Sequence, residues 1–584
     1  MKLFRLLPTL SLFVASTFAA APAFDAWVDA FTADWIRADP NAATETQYFS
    51  GAEQDTLDRQ LTPVTKQFRA NRVAAASKGL AELARFDRAQ LDASQKVSAD
   101  LIQWSLDDVV QGDAFSDFEW TFDQFNGLHV GLVNFLSQTH PIRNARDIDN
   151  YLARLALVSA RMDEGIAVAK DAATRGFLMP KFIYTSALGE FERFLANAPR
   201  QNVLVTSLDE RAAKLPEISV ADRAKAVAAA EKIVADSILP AFRRAQALLQ
   251  AQQALSTEDA GVWRLPGGDR AYAFFLRRMT TTDYTPEQVH ELGLKEVARI
   301  RAEMDSILRQ LGYTTGTLEE RVEKLEATLQ PPATPDPRPA LLARNEAIVR
   351  DAEKRAALLF DLRPAAPIVV KREPPFTENN AAAHYTLPAK DGTRPGTFWT
   401  PLPGPTYDIL TMRTTAYHEA VPGHHFQLAL QQEMKSLPRF RRDGVFGFIS
   451  AHGEGWALYA ERLAAESGWY DGDPQGHLGQ LSDELFRARR LVTDTGLHVK
   501  HWTRQQAIDY GMPVAEVERY VVWPGQACSY KIGQLKILEL RAKAQQVLGA
   551  KFNLKEFHNV ILRTGNVPLD VLETVIDDYI AGTK

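Results

Sequence analysis

The feature that most limits how this chain can fold is a helical beat that returns along most of its length. In TPEQVHELGLKEVARIRAEMDSILRQLGY, Thr285 is followed three residues on by Gln288, the pattern of a reciprocal helix cap. Val289, Leu292, Val297, Ile300, Met304, Ile307 and Leu308 then recur at about 3.6 residues, which predicts an amphipathic helix ending near Gly312. Stretches at 82–112, 147–175, 222–255 and 476–509 repeat the pattern and are rich in Ala, Leu, Arg, Glu and Gln. The expected fold is mainly α, a multi-helix chain.

The exception lies between Pro331 and Pro405, where PPATPDPRP, RPAAP and REPP remove backbone donors and fix φ. Here AAHYTLPA and GTFWTPL flank KDGTRPG, and Asp391-Gly392 between aromatic and Thr residues predicts a short β-hairpin. A chain of 584 residues exceeds what one core usually organises. The expected division is a leader at 1–21, an N-terminal helical region at 22–280 and a catalytic helical region at 281–584, its β segment at 365–402.

Acidic residues exceed basic ones by 73 − 67 = 6, so no surplus of positive charge is available for phosphate backbones, and nucleic acid is not an expected partner. The start, MKLFR followed by LLPTLSLFVASTFAAAPA, reads as a basic end, a short apolar stretch and small residues suited to cleavage. Export to the periplasm or beyond is predicted, with a mature chain beginning between Ala20 and Phe24 and carrying no integral membrane span. The lone cysteine, Cys528, excludes an intrachain disulfide and a thiolate zinc cluster, and no cysteine lies near Ala19 to Ala23 to accept a lipid. Histidine and carboxylate remain as strong metal ligands.

These ligands concentrate in TYDILTMRTTAYHEAVPGHHFQLALQQEM, which holds His418, Glu419, His424 and His425. Zinc hydrolases need neutral imidazoles on the metal and a carboxylate beside the attacking water, and a His-Glu pair on a helix supplies both. The usual second histidine follows four residues after the first, on the same helix face. Here Pro422 occupies that place, and the next histidines come six and seven residues after His418. In a regular helix six residues rise about 9 Å and turn the side chain about 120° away, too far to share an ion. Pro422-Gly423 supplies the necessary break, because proline deletes a helix hydrogen bond and glycine tolerates unusual backbone. A third ligand is expected from ISAHGEGWALYAERLAAESG. Glu454 and Glu461 share a helix face there but stand about 10 Å apart along the axis, so only one can bind the ion. Glu454, at the helix start, is the expected ligand; Glu461 reads as an exposed glutamate pairing with Arg462 or its neighbours.

HEAVPGHHFQ, EGWALYAE and YVVWPGQACSYKIGQLKI resemble the three signatures of the bacterial domain-of-unknown-function 885 family, inferred to be metallopeptidases. The resemblance extends over most of the mature chain and includes DGTRPGTFW. It implies a mostly helical, gluzincin-like zinc peptidase. Glu454-Gly455-Trp456-Ala457 is also similar to the third-ligand segment of aminopeptidase-type gluzincins. Matching Gly423-His424 to the Gly-His that ends many such motifs selects His424 as second ligand, with His425 adjacent as the alternative.

Peptide hydrolysis builds a tetrahedral oxyanion that a neutral donor can stabilise, and Tyr530 and His498 are the candidates. Trp523-Pro524-Gly525 reads as a rigid turn lining a cleft, with Gln526 as an amide donor. The edge of GTFWTPL, with Phe398 and Trp399, could align a peptide by main-chain hydrogen bonds, and Arg394 could meet its carboxylate. The resulting expectation is an exported peptidase holding one zinc through His418, His424 and Glu454, with Glu419 as general base. The alternatives are a peptide-binding protein without turnover and a zinc hydrolase of other amides or esters. Ligand type alone leaves manganese and cobalt open.

Overall fold

The computed structural model describes residues 21–583 except 334, 375–377, 379, 380 and 391. The predicted leader, up to residue 20, and the hairpin-tip residue Asp391 lie outside the described residues. The fold is mainly α with one small sheet. The helix Pro286–Gln310 starts where its cap predicts, with both reciprocal bonds of Thr285 and Gln288 formed and Pro286 in the first turn. It ends before Gly312, whose φ of +88° turns the chain away.

Two predicted helices are interrupted. The stretch 82–112 divides into Lys66–Leu83 and Ala93–Gly112, because Asp92 and Gln95 form a second reciprocal cap that starts a new helix. The stretch 476–509 divides into Pro474–His498 and Arg504–Asp509, where Thr503 and Gln506 do the same. The other two hold: Ala145–Thr174 is continuous, and Val220–Ile233 runs through a short π-helical turn into Leu239–Gln253.

The main hydrophobic core draws on residues from Phe24 to Ile580 and runs through both sides of residue 280. A second core, with Ile300, Met304, Leu308, Leu478 and Leu485, seals Pro286–Gln310 against Pro474–His498. Among the described residues no helix is long and apolar enough to cross a membrane.

The sheet contains β1 (Ile368–Arg372), β2 (His384–Thr386) and β3 (Gly396–Thr400) in the order β1-β3-β2. β2 and β3 form the predicted hairpin, antiparallel with Tyr385 opposite Phe398, and Gly392 takes the positive φ of +75° at its turn. β1 joins parallel to β3. This arrangement corrects the expectation for GTFWTPL: β3 is central, both of its edges are paired, and it cannot receive a peptide strand. Among the described residues the unpaired edge on the hairpin side belongs to β2.

Two helices set the frame of the site. Ser450–Glu466 and Gln526–Leu548 cross at Gly455 and Gly533, where a Cβ on Gly455 would lie 2.5 Å from the Gly533 Cα and one on Gly533 would lie 1.8 Å from the Ala451 carbonyl oxygen. Only glycine permits this approach, and it fixes the backbone next to Glu454.

Candidate metal centre

The helix Met412–Glu419 carries His418 and Glu419 in its last turn and stops at Ala420, and a second helix, His424–Glu433, starts four residues later. The Gly423 amide donates to the Tyr417 carbonyl at 2.9 Å, closing a turn wider than a helical one. A Cβ on Gly423 would sit 1.9 Å from the His418 carbonyl oxygen, so the residue is required by close approach. The Pro422 carbonyl accepts the Trp456 indole N–H at 2.9 Å, which pins the break to the helix bearing Glu454.

The break folds His424 back onto His418. Their ring centroids are 4.8 Å apart with planes at 89°. His418 Nε2 lies 3.4 Å and His424 Nε2 3.3 Å from the same oxygen, Glu454 Oε2. Ligands about 2.0–2.1 Å from a tetrahedral ion stand about 3.3–3.4 Å from one another, the tetrahedron edge being about 1.63 bond lengths. Both spacings on Glu454 match that edge, and ligand atoms of His418 and His424 lie within 4.8 Å of each other. Glu419 is buried beside them, and one ligand atom from each of His418, Glu419 and His424 lies within a 4.8 Å group.

Behind His418 stands Glu461. Its Oε1 is 2.7 Å from His418 Nδ1, its Oε2 accepts the Thr414 hydroxyl at 2.7 Å, and the residue is 0% exposed. The surface expectation for Glu461 is thus corrected: seven residues after Glu454 it cannot reach the same atom, but it reaches the opposite nitrogen of the same imidazole. This contact fixes the ring and leaves Nε2 free for a metal. His424 Nδ1, by contrast, is buried without a hydrogen-bond partner among the described residues.

The electrostatics fit a cation. Burial opposes charge on Glu454, but His424 and His418 overrule it and hold the carboxyl well below the usual range. Burial likewise opposes protonation of His418, yet Glu454 and Glu461 raise it well above the ordinary value. Burial pushes Glu419 up. Two buried carboxylates, Glu419 and Glu461, and the half-buried Glu454 around two imidazoles are an excess of negative charge, which is costly unless compensated. Arg487, whose field reaches Glu461, is already paired with Asp483 at 2.7 Å.

The remaining candidates separate. His425 faces the sheet, its Nδ1 2.9 Å from the Tyr385 hydroxyl. Tyr530 is half-buried, its hydroxyl 3.4 Å from Arg519 Nη2 and its ring under the Arg490 guanidinium at 4.4 Å. Gln526 bonds to Arg519 and, at 3.3 Å, to Ser450, tying the starts of the two crossing helices together. Trp523 packs near Phe125, with ring centroids 5.7 Å apart. His498 is corrected as a catalytic candidate. It is fully buried, its Nδ1 accepts the Val262 amide at 3.2 Å, its Nε2 meets the Tyr520 carbonyl at 3.0 Å, and no contact joins it to His418 among the described residues. Phe398 is corrected too: at 1% exposure it is core and cannot touch a substrate. Trp399 is half-buried and donates to Thr386 at 3.0 Å; Arg394 is exposed beyond the hairpin turn. Cys528 is fully buried, and burial pushes its thiol well up.

Sequence reasoning missed Glu461 and Thr414 as supports of His418. The signal for Glu461 was its place on the Glu454 face of one helix. Phe448 was also missed; it is 48% exposed with its ring 6.4 Å from His424, over Gly453, where a Cβ would lie 2.0 Å from it.

The family model for bacterial proteins of unknown function, DUF885, matches residues 40–576. A crystal structure named the "putative lipoprotein from Colwellia psychrerythraea" is similar at a TM-score of 0.87 and 29% identity, covering 94% of this chain and 99% of that one. A "putative lipoprotein of unknown function from Shewanella oneidensis" shares the fold at a TM-score of 0.71 and 20% identity, covering 96% and 100%. No curated protein matches.

Proposed function

This chain belongs to the DUF885 family of bacterial proteins, and from the centre it carries we propose that it is an exported zinc-dependent peptidase. The observation that carries the reading is the convergence of His418 Nε2 and His424 Nε2 on one Glu454 oxygen, at 3.4 and 3.3 Å, with Glu419 beside them. His418, His424 and Glu454 would hold one zinc. When bound, zinc polarises a carbonyl and a water as a Lewis acid.

This chain's own residues account for the rest. Glu419 takes the proton of the attacking water on its carboxylate and passes it to the leaving amine; its buried position raises its affinity for that proton. Glu461 holds His418 in place. The free edge of β2 offers main-chain groups to an extended peptide, and Tyr385 anchors that strand to the helix His424–Glu433 through His425. Tyr530 is the candidate oxyanion donor: because Arg519 can only donate to its oxygen, its own hydrogen is left to point elsewhere.

The leader-like start supports export, as does the lipoprotein name of the Colwellia relative. Lipid attachment is not part of the proposal, since the single cysteine is in the core. The test is hydrolysis of a mixed oligopeptide library with and without chelator. Chelator-sensitive cleavage supports the reading; binding without cleavage favours a peptide-binding protein, and turnover of esters or other amides alone moves the substrate class.

A further inference from the structure

Beside the Trp523-Pro524 turn lies a cavity of about 280 Å³ whose walls include Phe118, Trp120, Phe275 and Trp523. Asp123 lines it at 3% exposure. Its Oδ1 accepts the backbone amides of Phe125 at 2.7 Å and Asn126 at 2.6 Å, which fixes the loop. Its Oδ2 accepts no hydrogen bond among the described residues. Trp120 is 9% exposed, and its indole N–H also lacks a partner.

Guanidiniums stand over three of these rings, Arg264 over Trp120 at 5.8 Å, Arg278 over Phe275 at 5.6 Å and Arg519 over Trp523 at 5.7 Å, but among the described residues none forms an ion pair with Asp123. Arg278 lines the same space but is held by Asp108 and Glu119, each at 2.8 Å. His129 is occupied by Glu190 at 2.9 Å. Burial pushes the Asp123 carboxyl up to about 6, against the pull of its two backbone donors and of His129, as expected for a buried carboxylate with no ion-pair partner of its own. An anionic ligand would be repelled, and a purely apolar one would bury the carboxylate unpaired. Aromatic faces around a carboxylate are complementary to an organic cation, through the ring quadrupoles and a charge-assisted hydrogen bond.

We infer that this cavity binds an alkylammonium group, the α-amine or a lysine side chain of a peptide, held by Asp123 between the aromatic rings. The ammonium class rests on the cavity's walls alone; that the group belongs to a peptide rests on the peptidase reading above. The site shares Trp523 with the turn that leads to Gln526 and Tyr530, so a ligand there abuts the helix that packs against Glu454.

Calorimetric titration of the full chain with 2-phenylethylammonium and with its neutral counterpart, 2-phenylethanol, tests the ammonium site. The cation is expected to saturate one site and the alcohol to bind about tenfold or more weakly. Asp123→Asn keeps an oxygen for the Phe125 and Asn126 amides and should erase that preference; Trp523→Leu should weaken the cation. Equal binding of the two probes, no saturable binding, or an unchanged preference in Asp123→Asn would overturn the inference. Competition on the Glu419→Gln variant then identifies the source. Displacement by N-acetyl-lysine amide marks the side chain, displacement by norleucine amide marks the α-amine, and displacement by neither contradicts a peptide ligand. None of these readings needs hydrolysis, so an inactive chain would refute the peptidase proposal and leave the ammonium site itself standing.

Discussion

Glu461→Gln is the sharpest probe of how the centre is held. The carboxylate accepts from His418 Nδ1 at 2.7 Å and from Thr414 at 2.7 Å in a fully buried position. The amide keeps the shape and one acceptor but loses the charge. Hydrogen bonds to charged groups contribute about 1.5–3 kcal/mol and neutral ones about 0.5–1.5, so the change costs about 1–1.5 kcal/mol, or about tenfold in zinc affinity. Glu461→Ala removes both acceptors and leaves a buried imidazole N–H without a partner, a further loss of about 1–3 kcal/mol. It should reach the upper end of the range for lost support of a metal ligand, about a hundredfold weaker binding. The assay is competition of metal-stripped protein for zinc against a chelator of known affinity, with thermal unfolding measured separately. The expected order is wild type, then Gln, then Ala. Wild-type zinc affinity in both variants, while His418→Ala loses the ion, would refute the idea that Glu461 orients His418.

Four further outcomes are expected. Glu419→Gln should retain zinc while hydrolysis falls about 10²- to 10⁴-fold, checked by metal content and peptide turnover on the same sample. His424→Ala should abolish tight zinc binding, whereas His425→Ala, at a residue turned toward Tyr385, should leave most of it; chelator competition separates them. Gly533→Ala forces a Cβ to 1.8 Å from the Ala451 oxygen and should cost at least about 1–3 kcal/mol, read as a lowered urea midpoint. The fourth concerns Asp494, which burial raises to about 7 while it accepts from Tyr272 at 2.6 Å and Gly525 at 3.0 Å. Its folded value exceeds the ordinary unfolded value of about 3.9, so the native state holds the proton longer and stability falls as pH rises from about 4 to 7. Asp494→Asn should therefore gain on wild type by a few kcal/mol between pH 5 and pH 8, by urea unfolding at each pH; a constant difference would exclude the titration.

What could be read in the sequence was local. The cap at Thr285 and Gln288 and the turn at Gly392 are decided within a few residues, and both stand where the pattern puts them. The same kind of signal at Asp92 and Gln95 was available and marks the interruption that periodicity alone missed. The Pro422-Gly423 break was legible because the histidine spacing is impossible without it. What escaped depends on distant chain. β1 pairs with β3 from 28 positions away, as Ile368 opposite Gly396, and so made the expected edge strand central. His498 and Glu461 exchanged roles for the same reason: Val262 and Tyr520 enclose the histidine, and His418 draws the glutamate inward. Residue type gave both as candidates, and only packing decides which nitrogen or carboxylate faces the metal.

The most direct measurement is anomalous diffraction at the zinc edge from crystals of the full chain grown with zinc. The expected result is one peak within about 2.0–2.2 Å of His418 Nε2, His424 Nε2 and Glu454 Oε2, with Glu461 still on His418 Nδ1. Zinc bound elsewhere, or no peak between these three side chains at saturating zinc, would contradict the metal centre and with it the proposed hydrolysis.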